Sequence, residues 1–283
     1  MTSKSAGEKS ARWGDLAPRI LSAIVMLAVG GFAIWLGGIW FLALAVISSA
    51  LMMWELARMT RGQGFDASIL LGALTAVVLV MGITLPWALP FLLLPSLIGV
   101  LTPRRDILAF GPYALVIVVT AMALIILRSD THGVVAIAWL LSVVVASDVL
   151  GYFAGRILGG PKFWPKISPK KTWSGTVAGW IGAALVGFGF WHYAGFGAAV
   201  LWVSPLIAFA GQLGDIAESA IKRRAGVKDA SNLIPGHGGL LDRFDALAFA
   251  SVLAVILNLG LHFLPTPGDV ATMADSLPLD VTE

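Results

Sequence analysis

Apolar runs of about 20 residues, each long enough to cross roughly 30 Å of hydrocarbon as a helix, recur along this chain almost without a break. They predict about nine spans, over roughly 19–37, 39–57, 67–84, 86–102, 107–127, 132–155, 173–193, 198–221 and 244–264. Strands of a barrel would need alternating segments of about ten residues instead. The expected fold class is therefore all-α: a polytopic helical membrane protein. The fourth run carries Pro86, Pro90 and Pro95, which remove backbone donors and predict a kinked or re-entrant segment. Gly30, Gly31, Gly37 and Gly38 suit either close helix packing or a tight turn between the first two spans. No repeat with matching residues relates the two halves, which argues against an inverted-repeat transporter.

Polar positions set the orientation. Lys4, Lys9, Arg12 and Arg19 precede the first span, and alternate connections hold Arg58 with Arg61, Arg104 with Arg105, Arg156 through Lys171, and Lys222 through Arg243. Only Arg128 falls on the other side. The tail carries Asp269, Asp275, Asp280 and Glu283 and no Lys or Arg. The positive-inside rule then places the N-terminus in the cytoplasm and the C-terminus outside, which an odd number of spans permits. The first span is too long and too far from the N-terminus for a secretory h-region, and is expected to remain as an anchor.

Composition agrees with a membrane protein, being 58% hydrophobic and 12% charged against about 25% charged in soluble domains. With no cysteine, disulfides, thiolate zinc sites and thiol catalysis are excluded. The pI near 9.3 follows from the cytoplasmic loops and points to anionic lipid rather than to nucleic acid.

Ionisable groups divide the chain into a packing region, 1–130, and a catalytic region, 131–283, with cytoplasmic loops 156–172 and 222–243. In the first, Glu55 stands one turn before Arg58 and reads as an interfacial ion pair. In the second, Asp148, Tyr152, Gly155 and Gly159 share one helical face, and carboxylates at membrane depth are costly enough to suggest function. The turn-rich segment that follows places Ser168, Pro169, Lys170, Lys171 and Thr172 directly before the seventh span. Hydroxyls, ammonium groups and the free N–H donors of a helix start all suit phosphate oxygens. Along the eighth span, Gln212, Asp215, Glu218, Ser219 and Lys222 form a polar seam expected to face the protein interior.

From Ser219 to Asp245 the chain concentrates its chemistry: Ser219, Lys222, Arg223, Lys228, Asp229, His237, Gly238, Gly239, Asp242, Arg243 and Asp245. Asp242 and Asp245 lie one helical turn apart, so they repel unless a cation or proton separates them. Either alone would serve as an N-terminal helix residue. With Asp215 they make a magnesium site, because that ion takes one or two carboxylates and completes its octahedron with water and substrate phosphate. Lys222, Arg223 and Arg243 suit phosphate contacts, and the glycine pair permits close approach. His237 reads as a phosphate contact or loop-ordering group. His132, His192 and His262 are predicted near the outer face and have no assigned role.

The pattern Ser219-x-Ile221-Lys222-Arg223, then Lys228-Asp229-x-Ser231, Ile234-Pro235-x-His237-Gly238-Gly239-Leu240-x-Asp242-Arg243-Phe244-Asp245 resembles the signature of the phosphatidate cytidylyltransferase (CDP-diacylglycerol synthase) family, bacterial type. The Ser168 to Gly175 segment and the Asp148, Tyr152, Gly155, Arg156 run also resemble it. Ser174 departs, standing where members often have a glutamate or glutamine. The resemblance covers about the last 120 residues closely and the earlier ones only as multi-span architecture. It implies CTP plus phosphatidic acid giving CDP-diacylglycerol and pyrophosphate, a magnesium requirement with a second cation left open, a homodimer, and a catalytic face on the cytoplasmic side of the bacterial inner membrane. On that reading Asp215, Lys222, Asp242 and Asp245 carry catalysis. The substrate-binding residues are Asp148, Ser168, Lys170, Lys171, Thr172, Ser219, Arg223, Lys228, His237, Gly238, Gly239 and Arg243. A CTP-dependent lipid-alcohol kinase and an ion or lipid transporter are the competing readings.

Overall fold

The computed structural model describes residues 16–265. The N-terminal Lys4, Lys9 and Arg12 and the acidic tail used for orientation lie outside them. The described chain is helical: α1 (Leu16–Leu36), α2 (Gly38–Met59), α3 (Ser68–Thr84), a 3₁₀ segment (Pro86–Leu93), α4 (Leu94–Leu101), α5 (Ile107–Ser129), α6 (Gly133–Ile157), α7 (Trp173–Tyr193), α8 (Val200–Ala225) and α9 (Leu241–Leu261). One short hairpin interrupts the pattern, β1 (Lys162–Trp164) pairing antiparallel with β2 (Ser168–Thr172). Seven of the described helices are long and apolar enough to cross a membrane.

The two runs that fall short do so for physical reasons. Helix α3 has 17 residues, about 25 Å of rise, at the lower limit for a span. The run over 86–101 is broken where proline demands it. Pro86 starts the 3₁₀ segment, Pro90 removes a donor within it, and Pro95 sits in the first turn of α4. Between α1 and α2, Gly37 and Gly38 adopt φ of 64° and 47°, so of the two uses open to the four glycines the turn is the one formed, at this pair.

Packing groups the described residues into two compact units, those within 1–121 with 221–244, and those within 122–220 with the described residues after 244. In the first, α2 packs on α3, and loop 60–62 is stitched to loop 103–105: Gly62 N donates to Pro103 O at 2.9 Å and Arg105 N to Thr60 O at 3.0 Å. Arg104 is consumed there. Its guanidinium donates to Ala57 O and to Gly99 O, and lies 4.2 Å from the Phe110 ring centroid. Burial pushes that guanidinium below its ordinary pKa.

The second unit packs α6 along α7. Its core at one end is Trp139, fully buried, with Phe263 and Phe196 at ring-centroid distances of 5.3 and 5.7 Å and the indole N–H donating to Ser204 Oγ at 3.0 Å. At the other end the hairpin docks on the start of α7. Thr172 caps that helix by accepting from Gly175 N at 3.2 Å. Ser174 Oγ donates to Gly159 O and lies 3.0 Å from Thr172 Oγ1, which ties the hairpin to the chain just after α6. The divergent Ser174 therefore has a structural use here.

Candidate active site

In the second unit the polar seam of α8 delivers a cluster of carboxylates. One oxygen from each of Asp215, Glu218 and Asp245 lies within 4.8 Å of the others. Asp215 and Glu218 reach the cluster because they are three residues apart on one helix. Glu218 is fully buried. Three carboxylates so close repel strongly unless positive charge separates them. Part of that charge is Lys171, whose Nζ is 2.5 Å from Asp215 Oδ2 and 3.5 Å from Gln212 O. Ser219 Oγ also donates to Asp215 at 3.3 Å. Oxygen ligands at about 2.1 Å around an octahedral cation stand roughly 3 to 4 Å apart. The three oxygens lie within 4.8 Å of one another and are all hard donors, so the cluster fits a divalent cation.

Beside Asp215 lies a cavity of about 500 Å³. Asp148, Tyr152 and Gly155 line it from α6, while Gly159, expected on the same helical face, lies beyond the end of that helix at φ of 63°; Lys170, Lys171 and Thr172 line it from the hairpin. Gln212 braces its wall, donating to Ser147 Oγ at 3.2 Å and accepting from Trp180 Nε1 at 3.2 Å. Gly155 stays small because a Cβ there would come within 2.8 Å of Thr172 Oγ1. Lys170 and Asp148 are exposed at this cavity, and Ser168 opens strand β2.

In the first unit the remaining signature residues form an internally satisfied knot. Asp242, buried at 8% exposure, accepts from Lys222 Nζ at 2.7 Å, Gly239 N at 2.7 Å and Ala230 N at 2.9 Å. Glu55, fully buried, accepts from Ser231 Oγ at 2.5 Å, Leu240 N at 2.9 Å and Leu241 N at 2.7 Å. Two carboxylates thus satisfy the N–H donors where α9 begins. The ion pair expected between Glu55 and Arg58 is not formed; Arg58 lies over the Trp54 ring, 5.3 Å from its centroid. The knot also explains the glycine pair. A side chain on Gly238, at φ of 83°, would come within 2.8 Å of Asp242 Oδ2, and one on Gly239 within 2.6 Å of Glu55 Oε1. His237 Nδ1 is 2.8 Å from Ser22 Oγ, which also donates to Pro235 O, an arrangement suited to ordering the loop. Arg223, Lys228 and Arg243 are exposed on this loop and its flanks.

Of the three expected metal ligands, the structure brings together Asp215 and Asp245 and adds Glu218, while Asp242 is engaged within the knot. The spacing of Glu218 was visible in the polar seam of α8. Nothing local distinguished Asp242 from Asp245, because the partners that separate them lie 12 to 20 residues upstream of Asp242. Glu55 was hidden for the same reason, its partners being 176 to 186 residues away.

Comparison with known proteins bears on the chemistry. Residues 17–259 match the model of the cytidylyltransferase family. A phosphatidate cytidylyltransferase of Brucella abortus is 33% identical over 254 residues, covering 86% of this chain and 93% of that protein. The enzymes of the same name from Helicobacter pylori and Haemophilus influenzae are 44% identical over 134 residues and 36% identical over 167, covering 47% and 51% of their own lengths.

Proposed function

The chain belongs to the cytidylyltransferase family, and from that premise we propose that it joins CTP to phosphatidic acid, giving CDP-diacylglycerol and pyrophosphate. It is a nucleotidyltransferase embedded in the membrane. The observation that carries the reading is the Asp215, Glu218 and Asp245 cluster with Lys171 against it, at a cavity floored by a cationic hairpin.

An ionised phosphate oxygen of phosphatidic acid attacks the α-phosphorus of CTP in line. The new P–O bond forms as the bond to the pyrophosphate oxygen breaks, and no covalent enzyme intermediate is needed. The nucleophile is already ionised near neutral pH, so no side chain has to remove its proton. Asp215, Glu218 and Asp245 would hold a magnesium ion, with Asp242 preserving the loop that leads to α9. When bound, magnesium neutralises charge on the triphosphate and its leaving group. Lys171 is held at the cavity by Asp215 and offers its ammonium group to phosphate; Lys170, Ser168 and the Thr172 segment orient the same groups. Acceleration comes mostly from positioning two anions and neutralising them. Arg223, Lys228 and Arg243 offer further cations for phosphate.

Counting α3 and the broken 86–101 run as crossing elements keeps an odd number of spans, with the N-terminus and the catalytic loops cytoplasmic. The location is the bacterial inner membrane, and the working form is a homodimer. Purified protein supplied with labelled CTP, phosphatidic acid and magnesium should release pyrophosphate together with lipid-linked cytidine. Release of free CDP instead would identify a CTP-dependent lipid kinase.

A further inference from the structure

A second cavity, of about 620 Å³, lies within the first unit and is walled by Trp54, Arg58, Arg61, Arg105, Ser231 and Asn232 among others, with no carboxylate among the described residues of its lining. We infer that it is a second phosphate-binding site, taking the phosphate of a lipid head group or of a soluble phosphate compound. The four arginines near it are not equivalent. Arg104 is spent on carbonyls and the Phe110 ring, and Arg61 is paired with Asp66 at 2.7 Å. Arg58 and Arg105 make no ion pair with a carboxylate among the described residues, and both line the cavity.

Their placement is built rather than incidental. The backbone bonds between loops 60–62 and 103–105 carry Arg61 and Arg105 to one wall, and the Trp54 ring supports the Arg58 guanidinium. The positive-inside rule accounts for arginines on this side of the membrane, yet not for two left without carboxylates around one concavity. Two planar guanidinium groups with an amide and a hydroxyl nearby match the oxygens of a phosphate. Ser231, which also lines the cavity, donates to Glu55, so an occupant would touch the loop that the knot holds.

The test uses the full chain in detergent and phosphatidylglycerol, whose phosphodiester lacks the ionised monoester the proposed reaction needs. The result is therefore independent of cytidylyl transfer, which is assayed on the same preparation. Native mass spectrometry should show phosphatidylglycerol retained by the wild type and by Arg128→Ala, and about tenfold or more weaker in Arg58→Gln/Arg105→Gln. Phosphatidylcholine should be retained poorly by all. Displacement by millimolar inorganic phosphate would identify any phosphate as the occupant; resistance to it would identify the lipid head group. Both side chains are exposed, and each single replacement supplies the same reading should the double variant fold poorly. Equal retention by wild type and variants, or an equal loss in Arg128→Ala, overturns the inference.

Discussion

Two groups of carboxylates in this protein look alike as sequence and differ completely as chemistry. Glu55 and Asp242 sit among donors: backbone N–H groups, the Ser231 hydroxyl and the Lys222 ammonium. Asp215, Glu218 and Asp245 converge on one another, with Lys171 as counter-charge beside the Ser219 hydroxyl and Ala246 N–H donors. A carboxylate surrounded by donors is complete and stabilises a fold. Carboxylates facing carboxylates are tolerated because they are useful, and the usual use is a cation. The difference gives Asp242 and Asp245 unlike surroundings within one signature, and we propose that it separates structural from catalytic acid.

Breaking the second group should produce the largest change in function. Asp215→Asn or Asp245→Asn should lower kcat by about 10³-fold or more, the scale of losing an electrostatic stabiliser of the reaction. Melting temperature should hold or rise, since carboxylate repulsion is relieved. Thermal unfolding beside steady-state turnover checks both. A stability loss equal to that of a knot variant would erase the distinction.

The knot should respond in the opposite sense. Asp242→Ala removes the Lys222–Asp242 ion pair and the acceptor of the Gly239 and Ala230 N–H groups, at a cost of about 3 to 5 kcal/mol, read as a fall in melting temperature and poor insertion. Removing both charges in Lys222→Met/Asp242→Leu should recover part of that loss. If the double variant is stable but as inactive as Asp245→Asn, Asp242 belongs with the catalytic acids.

Glu55→Gln tests the same knot more gently. Shape and some hydrogen bonding survive while the charge that receives three donors is lost, so the expected cost is about 1.5 to 3 kcal/mol. KM and kcat of the folded fraction should stay close to wild type. A large fall in kcat at unchanged stability would give Glu55 a chemical role.

How much of this was legible in the chain depended on range. Span positions followed from hydrophobic runs, and prolines predicted that the 86–102 run would not be a plain helix. Of the face read over Asp148, Tyr152, Gly155 and Gly159 from a local period, the first three lie on α6 and line the cavity, whereas Gly159 falls past the end of that helix, which the period alone could not place. The residues around Ser168 to Thr172 were singled out, yet their hairpin was missed, because it is only three residues against five and its strand pairing has an irregular register. Asp242 and Asp245 have the same spacing logic in sequence. Only their partners tell them apart, and hydrogen bonds that close over 12 to 186 residues leave no periodic trace.

The smallest effect belongs to a carboxylate of neither group. Asp66, exposed, accepts from the Ser68 hydroxyl and backbone N–H and from Arg61, and these bonds hold its pKa down from 3.8 to about 2. A pKa depressed by folding means that the contribution is fully present above the unfolded value and disappears as pH falls through about 2. The stability difference between wild type and Asp66→Ala should therefore be small and constant near neutrality and shrink below about pH 4. A difference independent of pH would show that Asp66 acts without its charge.

The central claim is that Asp215, Glu218 and Asp245 bind the divalent cation while Asp242 holds the loop. Manganese titrated into purified protein and followed by electron paramagnetic resonance measures this directly, without turnover. The account predicts one tightly bound ion in wild type and in Lys222→Met/Asp242→Leu, and none in Asp215→Asn or Asp245→Asn. Undiminished binding in those two single variants, or its loss in a folded Lys222→Met/Asp242→Leu protein, would contradict it.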